Sequence, residues 1–218
     1  MFNLKKVVLH PALLLAAGNT ALAFGHAEAV AIALNILLVI AILVARAKEV
    51  RQKRPFGVPF IILALVNFAT AGSVIYRNVG SNDHVGVIGY AAALAFIAWG
   101  IGHIFAGHHE RNGSTAKHIS ENPQVFYGVG DISAVNAGGS VNFFSLPFMI
   151  IGFIKSIFIG KHIETKSKSV QFIDSEFTAA RIYGAGYFVG ALTSLSLPYF
   201  AIAQLLWSLA YFQFKKDT

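Results

Sequence analysis

Eight long apolar runs, separated by short polar connectors, limit what this sequence can fold into. They lie at 8–24, 28–46, 56–76, 84–107, 123–138, 141–160, 178–197 and 198–214. Each is close to the ~20 residues that a helix needs to cross a bilayer core of ~30 Å. None alternates polar and apolar residues as barrel strands do, and only helices or closed barrels satisfy backbone hydrogen bonds in lipid. The runs therefore predict transmembrane helices.

The composition agrees with a membrane protein. Of 218 residues, 56% are hydrophobic and only 12% are charged, which is more apolar surface than a soluble domain of this size covers. We therefore expect an all-α, polytopic integral membrane bundle of about eight transmembrane helices. The net charge of +7 does not indicate nucleic acid, because the basic residues occupy connectors rather than one face. The lack of cysteine excludes disulfides and thiolate metal sites.

The basic residues predict how the chain is oriented. "NLKK", "RAKEVRQKR", "HHERNGSTAK", "KHIETKSKS" and "KKDT" alternate along the chain with "GHAE", "NVGSNDH", "AGGS" and the turn at Pro198. Among the 17 Lys and Arg residues only Arg77 lies beside a connector of the second set, if Arg181 is counted at the basic end of its helix. The positive-inside rule then places both termini in the cytoplasm, and we expect a bacterial inner membrane. An even number of spans follows.

The N-terminal segment has a second interpretation. The stretch "MFNLKKVVLHPALLLAAGNTALAFGHAEA" resembles a signal peptide, with a basic start, an apolar centre and small residues at Ala21 and Ala23. Its removal would leave seven spans and break the alternation of basic and uncharged connectors. We therefore favour a first helix that is retained.

The sequence also suggests an internal repeat. An offset of 112 residues aligns Pro11 with Pro123, Gly18 with Gly130 and Asn19 with Asp131, and a slightly smaller offset aligns Trp99 with Trp207. Duplication would give two four-helix repeats, 1–112 and 113–218, in one membrane domain. Halves of four spans share one orientation, so the repeats would be parallel, with a pseudo-twofold axis along the membrane normal. Chance similarity between leucine-rich helices is the alternative.

Asp131 is the most informative single residue, because it lies in the middle of an apolar run. Like Asn19, it follows a proline by eight residues, which places it ~12 Å along its helix at 1.5 Å per residue. A charge at that depth costs at least ~2.5 kcal/mol, so the side chain should face the bundle interior and find a partner. We expect a central polar site for a substrate, made by Asp131, Asn19, Asn35, Asn67, Asn136 and Asn142. In the alternative, Asp131 only holds helices together through hydrogen bonds.

No catalytic residue, metal site or cofactor is assigned. His10 and His103 should lie at similar depth near the cytoplasmic side, where histidines are common. A second group would gather at the outer side if the first and fourth helices were adjacent: His26, Glu28, Asp83 and His84. The spacings match no metalloprotease motif, and no Walker-type glycine loop is present.

Three functions remain open. The first is a small transporter or channel-like protein for a polar solute or ion, with Asp131 at its centre. The second is a non-catalytic membrane subunit of a larger complex, which the small size and short outer loops favour. The third is an intramembrane enzyme that uses Asp131 and a histidine on a lipidic substrate. The expected partners are membrane lipids, a small polar solute or ion, and either further copies of this chain or other membrane subunits.

Overall fold

The computed structural model describes residues 3–25, 27, 29–80, 86–112, 119–137, 143–162 and 176–214, and these residues form helices and no strand. The helices are α1 (Lys5–Val8), α2 (Pro11–Gly25), α3 (Ala29–Gln52), α4 (Val58–Gly80), α5 (Gly86–Asn112), α6 (Pro123–Asn136), α7 (Leu146–His162), α8 (Glu176–Thr193) and α9 (Pro198–Gln213). Two short 3₁₀ turns, Ile119–Glu121 and Phe143–Ser145, precede α6 and α7. Each predicted apolar run overlaps one of the helices α2 to α9. The prediction of an all-α protein is confirmed.

Three of these helices are long and apolar enough to cross a membrane. They are Ala29–Gln52, Val58–Val79 and Gly86–Asn112, with mean hydropathies of 2.6, 2.1 and 1.7 over their most apolar stretches. Their outer faces expose large aliphatic side chains, including Val30 and Val87, which are 74% and 85% exposed. Water would penalise such faces and hydrocarbon would not. The structure therefore supports a membrane-associated protein.

The helices from α2 to α9 form a closed series of neighbours. Each packs against the next along the chain, and α9 packs back against α2. The largest buried side chains at the centre are aromatic, and Tyr127, Tyr183, Tyr187, Trp207 and Tyr211 belong to one core cluster. The interior of the bundle is therefore filled by α6, α8 and α9 with rings that also carry polar atoms.

Helix α6 begins where it does because of Asn122 and Pro123. The Asn122 side chain accepts a hydrogen bond from the backbone N–H of Gln124 at 2.9 Å, and Pro123 needs no such partner at the first helical position. The same Asn122 side chain donates to the carbonyl of Ser156 on α7 at 3.0 Å. One fully buried side chain thus fixes both the start of α6 and its packing on α7.

The connector before α4 passes very close to α5. Gly57 has a φ of +71°, a conformation that glycine adopts without strain, and a Cβ there would overlap the backbone of Gly107. The two glycines allow the start of α4 to pack against the last turns of α5. This contact positions one wall of the cavity described below.

Candidate functional site

Asp131 is completely buried at the centre of the bundle, where three aromatic side chains face its carboxyl group. Trp99 Nε1 on α5 donates to Oδ1 at 3.0 Å, and the Tyr187 hydroxyl on α8 donates to the same oxygen at 2.5 Å. The Tyr211 hydroxyl on α9 lies 3.5 Å from Oδ2, at the limit of a hydrogen bond. Four helices therefore meet at this one carboxyl group.

Helical spacing explains how so many aromatic groups reach one point. Side chains four residues apart share a helix face, so Tyr183 and Tyr187 project together from α8. Tyr187 stacks on Tyr211 with ring centroids 5.5 Å apart and planes 13° from parallel. Tyr127 meets the Tyr211 ring edge-on at 5.8 Å. The rings exclude solvent around Asp131 while their polar atoms remain available to it.

A polar stripe runs along α6 from Asp131 toward the basic end of the bundle, the end that carries α1 and the start of α4. Gln124, Tyr127 and Asp131 follow one another at helical spacing, and all three are buried. The Tyr127 hydroxyl hydrogen bonds to His103 Nδ1 at 2.9 Å, and the Tyr183 hydroxyl donates to the Gln124 carbonyl at 2.9 Å. The carboxyl group is thus connected to Gln124 through a zone of buried polar groups.

A cavity of about 760 Å³ lies at this basic end and is called the basic-end cavity below. Its deep wall includes His10, Gln124 and Glu110, and exposed lysines of α1 border its mouth. Phe60 and Phe214, also on its wall, stack at 5.8 Å between their centroids. These two rings also contact His103 and Tyr127, respectively. We call Phe60 and Phe214 the aromatic barrier, because both line the cavity and contact the buried pair His103 and Tyr127.

Charged side chains tie together the helices around the cavity. Glu110 Oε1 is bonded to His10 Nε2 at 2.9 Å and to Arg46 Nη1 at 2.8 Å. Arg46 also pairs with Glu49 at 2.9 Å, and Glu49 Oε1 accepts the backbone N–H groups of Phe56 and Val58. Glu49 is 3% exposed and stabilises the N-terminal end of α4, where an anion is favoured.

Three buried polar atoms of side chains that line this cavity have no hydrogen-bond partner among the described residues. They are His10 Nδ1, Glu110 Oε2 and Gln124 Oε1. Buried polar atoms are normally satisfied, and leaving one unpaired costs about 1–3 kcal/mol. Because these atoms lie beside an open volume, water or a bound molecule can supply the missing partners.

The predicted site residues do not all converge on Asp131. Asn67 on α4 is buried and Asn19 on α2 is half-buried, and neither hydrogen bonds to Asp131. Asn35 and Asn136 donate to carbonyls of their own helices, at 2.8 and 3.2 Å. Asn142 lies outside the described residues. Their role in a substrate site stays a prediction.

His10 and His103 both contact the Phe60 ring, with ring centroids 5.2 and 6.2 Å from its centroid. Their similar depth in a membrane stays a prediction. Among the described residues no three His, Asp or Glu side chains are grouped as a metal site requires. The outer group falls outside those residues: His26, Glu28, Asp83 and His84.

Most of the side chains that hold Asp131 or line the cavity do not stand out in the sequence. Trp99, Tyr187 and Tyr211 lie within apolar runs, although Trp99 is one of the residues in the repeat alignment. Residues 108–110, the start of the basic connector "HHERNGSTAK", belong to α5, where His109 is 9% exposed. The available signal was pairs of aromatic residues at four-residue spacing on α8 and α9, Tyr183 with Tyr187 and Trp207 with Tyr211.

Comparison of the chain with protein-family models, with curated proteins and with solved structures finds no match.

Proposed function

We propose that the protein is a small multi-pass membrane transporter or channel-like protein for a polar solute or an ion, with Asp131 at its central site. The observation that carries this proposal is the complete burial of one carboxyl group among three aromatic donors, in line with a polar stripe that leads to a cavity. Ionisable groups inside a membrane are expensive to bury and commonly mark the path of an ion or solute. A carboxyl group that served only to join helices would not need the stripe or the cavity.

The described conformation fits an occluded state of such a transporter. Asp131 is 0% exposed and is not part of the lining of the basic-end cavity, whose wall includes the aromatic barrier. Rotation of Phe60 or Phe214 would connect the cavity to the stripe at His103 and Tyr127. Side-chain gating of this kind closes one side of a central site without moving whole helices.

We infer that the two halves of the bundle, 1–112 and 113–218, are parallel repeats. Helix neighbours support this: α2 with α3, α3 with α4, and α4 with α5 in the first half correspond to α6 with α7, α7 with α8, and α8 with α9 in the second. The contact of α5 with α6 corresponds to that of α9 with α2. A twofold axis would relate all of these pairs.

Two glycine–tryptophan contacts add independent support for the repeat. A Cβ on Gly130 would overlap the Trp99 ring, and a Cβ on Gly18 would overlap the Trp207 ring. Trp207 Nε1 donates to the Leu15 carbonyl at 3.3 Å, whereas Trp99 donates to Asp131. The glycine–tryptophan packing is shared by the halves, and only the second half carries the acidic acceptor.

The proposed membrane topology follows from the repeat. Four spans in each half give about eight in total and place both termini on the side of the basic connectors, which we assign to the cytoplasm of a bacterial inner membrane. Helices shorter than ~20 residues, such as α2 and α6, would cross with local thinning of the bilayer. The basic-end cavity then faces the cytoplasm.

A second candidate function is that of a subunit in a larger membrane complex. The observation that favours it is the exposure of α3 to its surroundings. Only 11% of the most apolar stretch of this helix is buried within the bundle. A partner helix or a further copy of this chain would cover that face as well as lipid does. Mass measurement after extraction in a mild detergent separates the cases, because a lone monomer or a homo-oligomer contradicts a hetero-complex.

The third candidate, an intramembrane enzyme, requires an acid–base pair at Asp131. Among the described residues the hydrogen-bond partners of Asp131 are Trp99, Tyr187 and Tyr211, and none is a histidine or a carboxylate. His103 is bonded to Tyr127 instead. We therefore rank this function below the other two.

The transport proposal is tested by flux into proteoliposomes. We expect the purified protein to move protons, an alkali cation or a small polar solute from a defined panel, and we expect Asp131→Asn to lower that flux at least about tenfold, since the variant keeps the shape and loses the charge. Thr70→Val is the matched control, because this exposed hydroxyl bonds to the Val66 carbonyl of its own helix. Equal flux through wild type and Asp131→Asn for every species that moves, or no flux of any species through wild type, contradicts the proposal.

A further inference from the structure

The mouth of the basic-end cavity is strongly cationic. Its lining includes five Lys and Arg residues, Lys5, Lys6, Arg46, Lys53 and Arg54, against two acidic ones, Glu49 and Glu110. Arg46 is occupied by both glutamates. The other four cationic side chains are exposed and form no ion pair within the described part of the chain. The mouth therefore presents unneutralised positive charge to a ligand.

The deep wall of the cavity differs from the mouth, because it presents hydrogen-bond acceptors rather than positive charge. Glu110 Oε2 and Gln124 Oε1 are hydrogen-bond acceptors, and both atoms are buried without a partner among the described residues. His10 Nε2 is bonded to Glu110 Oε1, so the ring nitrogen that remains for a ligand is Nδ1, which also has no partner among those residues. His10 and Gln124 are 5% and 3% exposed. The wall therefore calls for hydrogen-bond donors.

From this polarity we propose that the basic-end cavity binds a phosphate ester that carries hydroxyl groups, with the phosphate held by Lys5, Lys6, Lys53 and Arg54 at the mouth and the hydroxyls bonded to His10, Glu110 and Gln124. Flexible lysines suit a phosphate at an exposed mouth, and arginine matches its oxygens in a fork. A volume of about 760 Å³ falls in the range of small-molecule sites. A bare inorganic anion would leave the acceptors of the deep wall unsatisfied.

This chemistry has two sources near a membrane. One is the headgroup of a glycerol-based anionic lipid, since basic clusters next to membrane helices attract such headgroups. The other is a soluble polyol phosphate. The two share the phosphate and the hydroxyl donors, so the site is defined by both and the experiment distinguishes the sources.

The test measures equilibrium binding to the full-length protein with two matched pairs of probes. Glycerol 3-phosphate and phosphocholine, followed by calorimetry, are soluble phosphate esters with and without hydroxyl donors. Phosphatidylglycerol and phosphatidylcholine, followed by native mass spectrometry after exchange in mixed nanodiscs, are the corresponding lipids. We expect binding of the hydroxyl-bearing member of at least one pair and weaker binding of its partner. The pair in which this difference appears identifies the source.

Two variants assign the binding to this cavity. Gln124→Leu removes an acceptor that has no protein partner, and Lys53→Gln with Arg54→Gln removes charge from exposed positions. Each change should weaken binding about tenfold, as the loss of one or two charge-assisted or buried hydrogen bonds does. Thr70→Leu on α4 and Arg77→Gln, both outside the cavity, are the controls, and both should bind as wild type does.

Equal binding of both members of each pair, no binding of any probe, or wild-type affinity in Lys53→Gln/Arg54→Gln would overturn this assignment. The double variant keeps the test valid if Gln124→Leu fails to fold, because exposed residues are tolerant of substitution. The inference does not rest on transport. Binding is measured without flux and Asp131 is unchanged, so the two proposals can fail separately.

Discussion

At the scale of single residues, Asp131 depends on donors of unequal strength. Tyr187 lies 2.5 Å from Oδ1, whereas Tyr211 lies 3.5 Å from Oδ2. Short hydrogen bonds to a charged acceptor are the strong ones, and geometry at the distance limit contributes little. The carboxyl group is therefore held mainly through Oδ1, and the Tyr211 hydroxyl contributes little at Oδ2.

This difference gives a graded prediction. Tyr187→Phe should lower the free energy of unfolding in detergent by about 1–3 kcal/mol, because it removes a donor from a buried carboxyl group. Tyr211→Phe should lower it by less than half as much. Tyr90→Phe, at an exposed position, is the control and should leave stability unchanged. Equal losses for Tyr187→Phe and Tyr211→Phe would show that the two distances do not reflect bond strength.

At the scale of helices, the closest contacts between α5 and α6 and between α9 and α2 depend on small residues facing large ones. Gly130 receives the Trp99 ring, and Gly18 receives the Trp207 ring. Helices in lipid lack a hydrophobic driving force for association, so close packing of this kind is a main source of their attraction. The same geometry at two places indicates that both junctions between the halves are built alike.

A methyl group should therefore be harmful at both glycines. Gly130→Ala and Gly18→Ala should each destabilise the protein by about 1–3 kcal/mol through overpacking against a tryptophan. Gly72→Ala is the control, since a Cβ there meets nothing within 4 Å and alanine favours the helix. Thermal unfolding in one detergent ranks the three. If Gly18→Ala and Gly72→Ala were equally harmless, the correspondence between the halves would lose its energetic support.

At the scale of the whole molecule, hydropathy located α2 to α9 but not the ends of these helices. Helix α3 continues to Gln52 and α5 to Asn112, beyond apolar runs that end at 46 and 107. The extra turns carry Glu49 and Glu110, and the ion pairs of both with Arg46, at the end of the α3 run, stabilise helix outside the apolar region. Hydropathy marks the part of a helix that suits hydrocarbon, and it is silent about polar turns that continue beyond it.

Asp131 could be identified from the sequence, whereas the aromatic residues that bond to it could not. A lone carboxylate contrasts with an apolar run, whereas tyrosine and tryptophan blend into it. Which aromatic residues face the carboxylate depends on the packing of four helices, and sequence periodicity fixes only the face within each helix. The basic-end cavity was invisible for a further reason, because its walls come from segments as distant as α1 and α9.

The proposed topology predicts which positions face which side of the membrane. Because the chain lacks cysteine, single substitutions report position without removal of native thiols. Lys53→Cys should react with a membrane-impermeant maleimide only in inside-out vesicles, and Val87→Cys, near the start of α5, only in right-side-out vesicles. The two cysteines lie on either side of α4 in the chain. If both reacted in the same vesicles, that result would contradict an α4 that crosses the membrane.

The central claim is that the Asp131 carboxyl group takes part in transport. Infrared spectroscopy of the purified protein in lipid tests this claim most directly. The carboxyl signal that disappears in Asp131→Asn should change with pH across the physiological range, exchange with deuterated water and shift when a transported ion or solute is added. The unfolding temperature is followed in parallel. A signal that stays the same at every pH and with every addition, while Asp131→Asn loses only stability, would show that this carboxyl group merely joins helices.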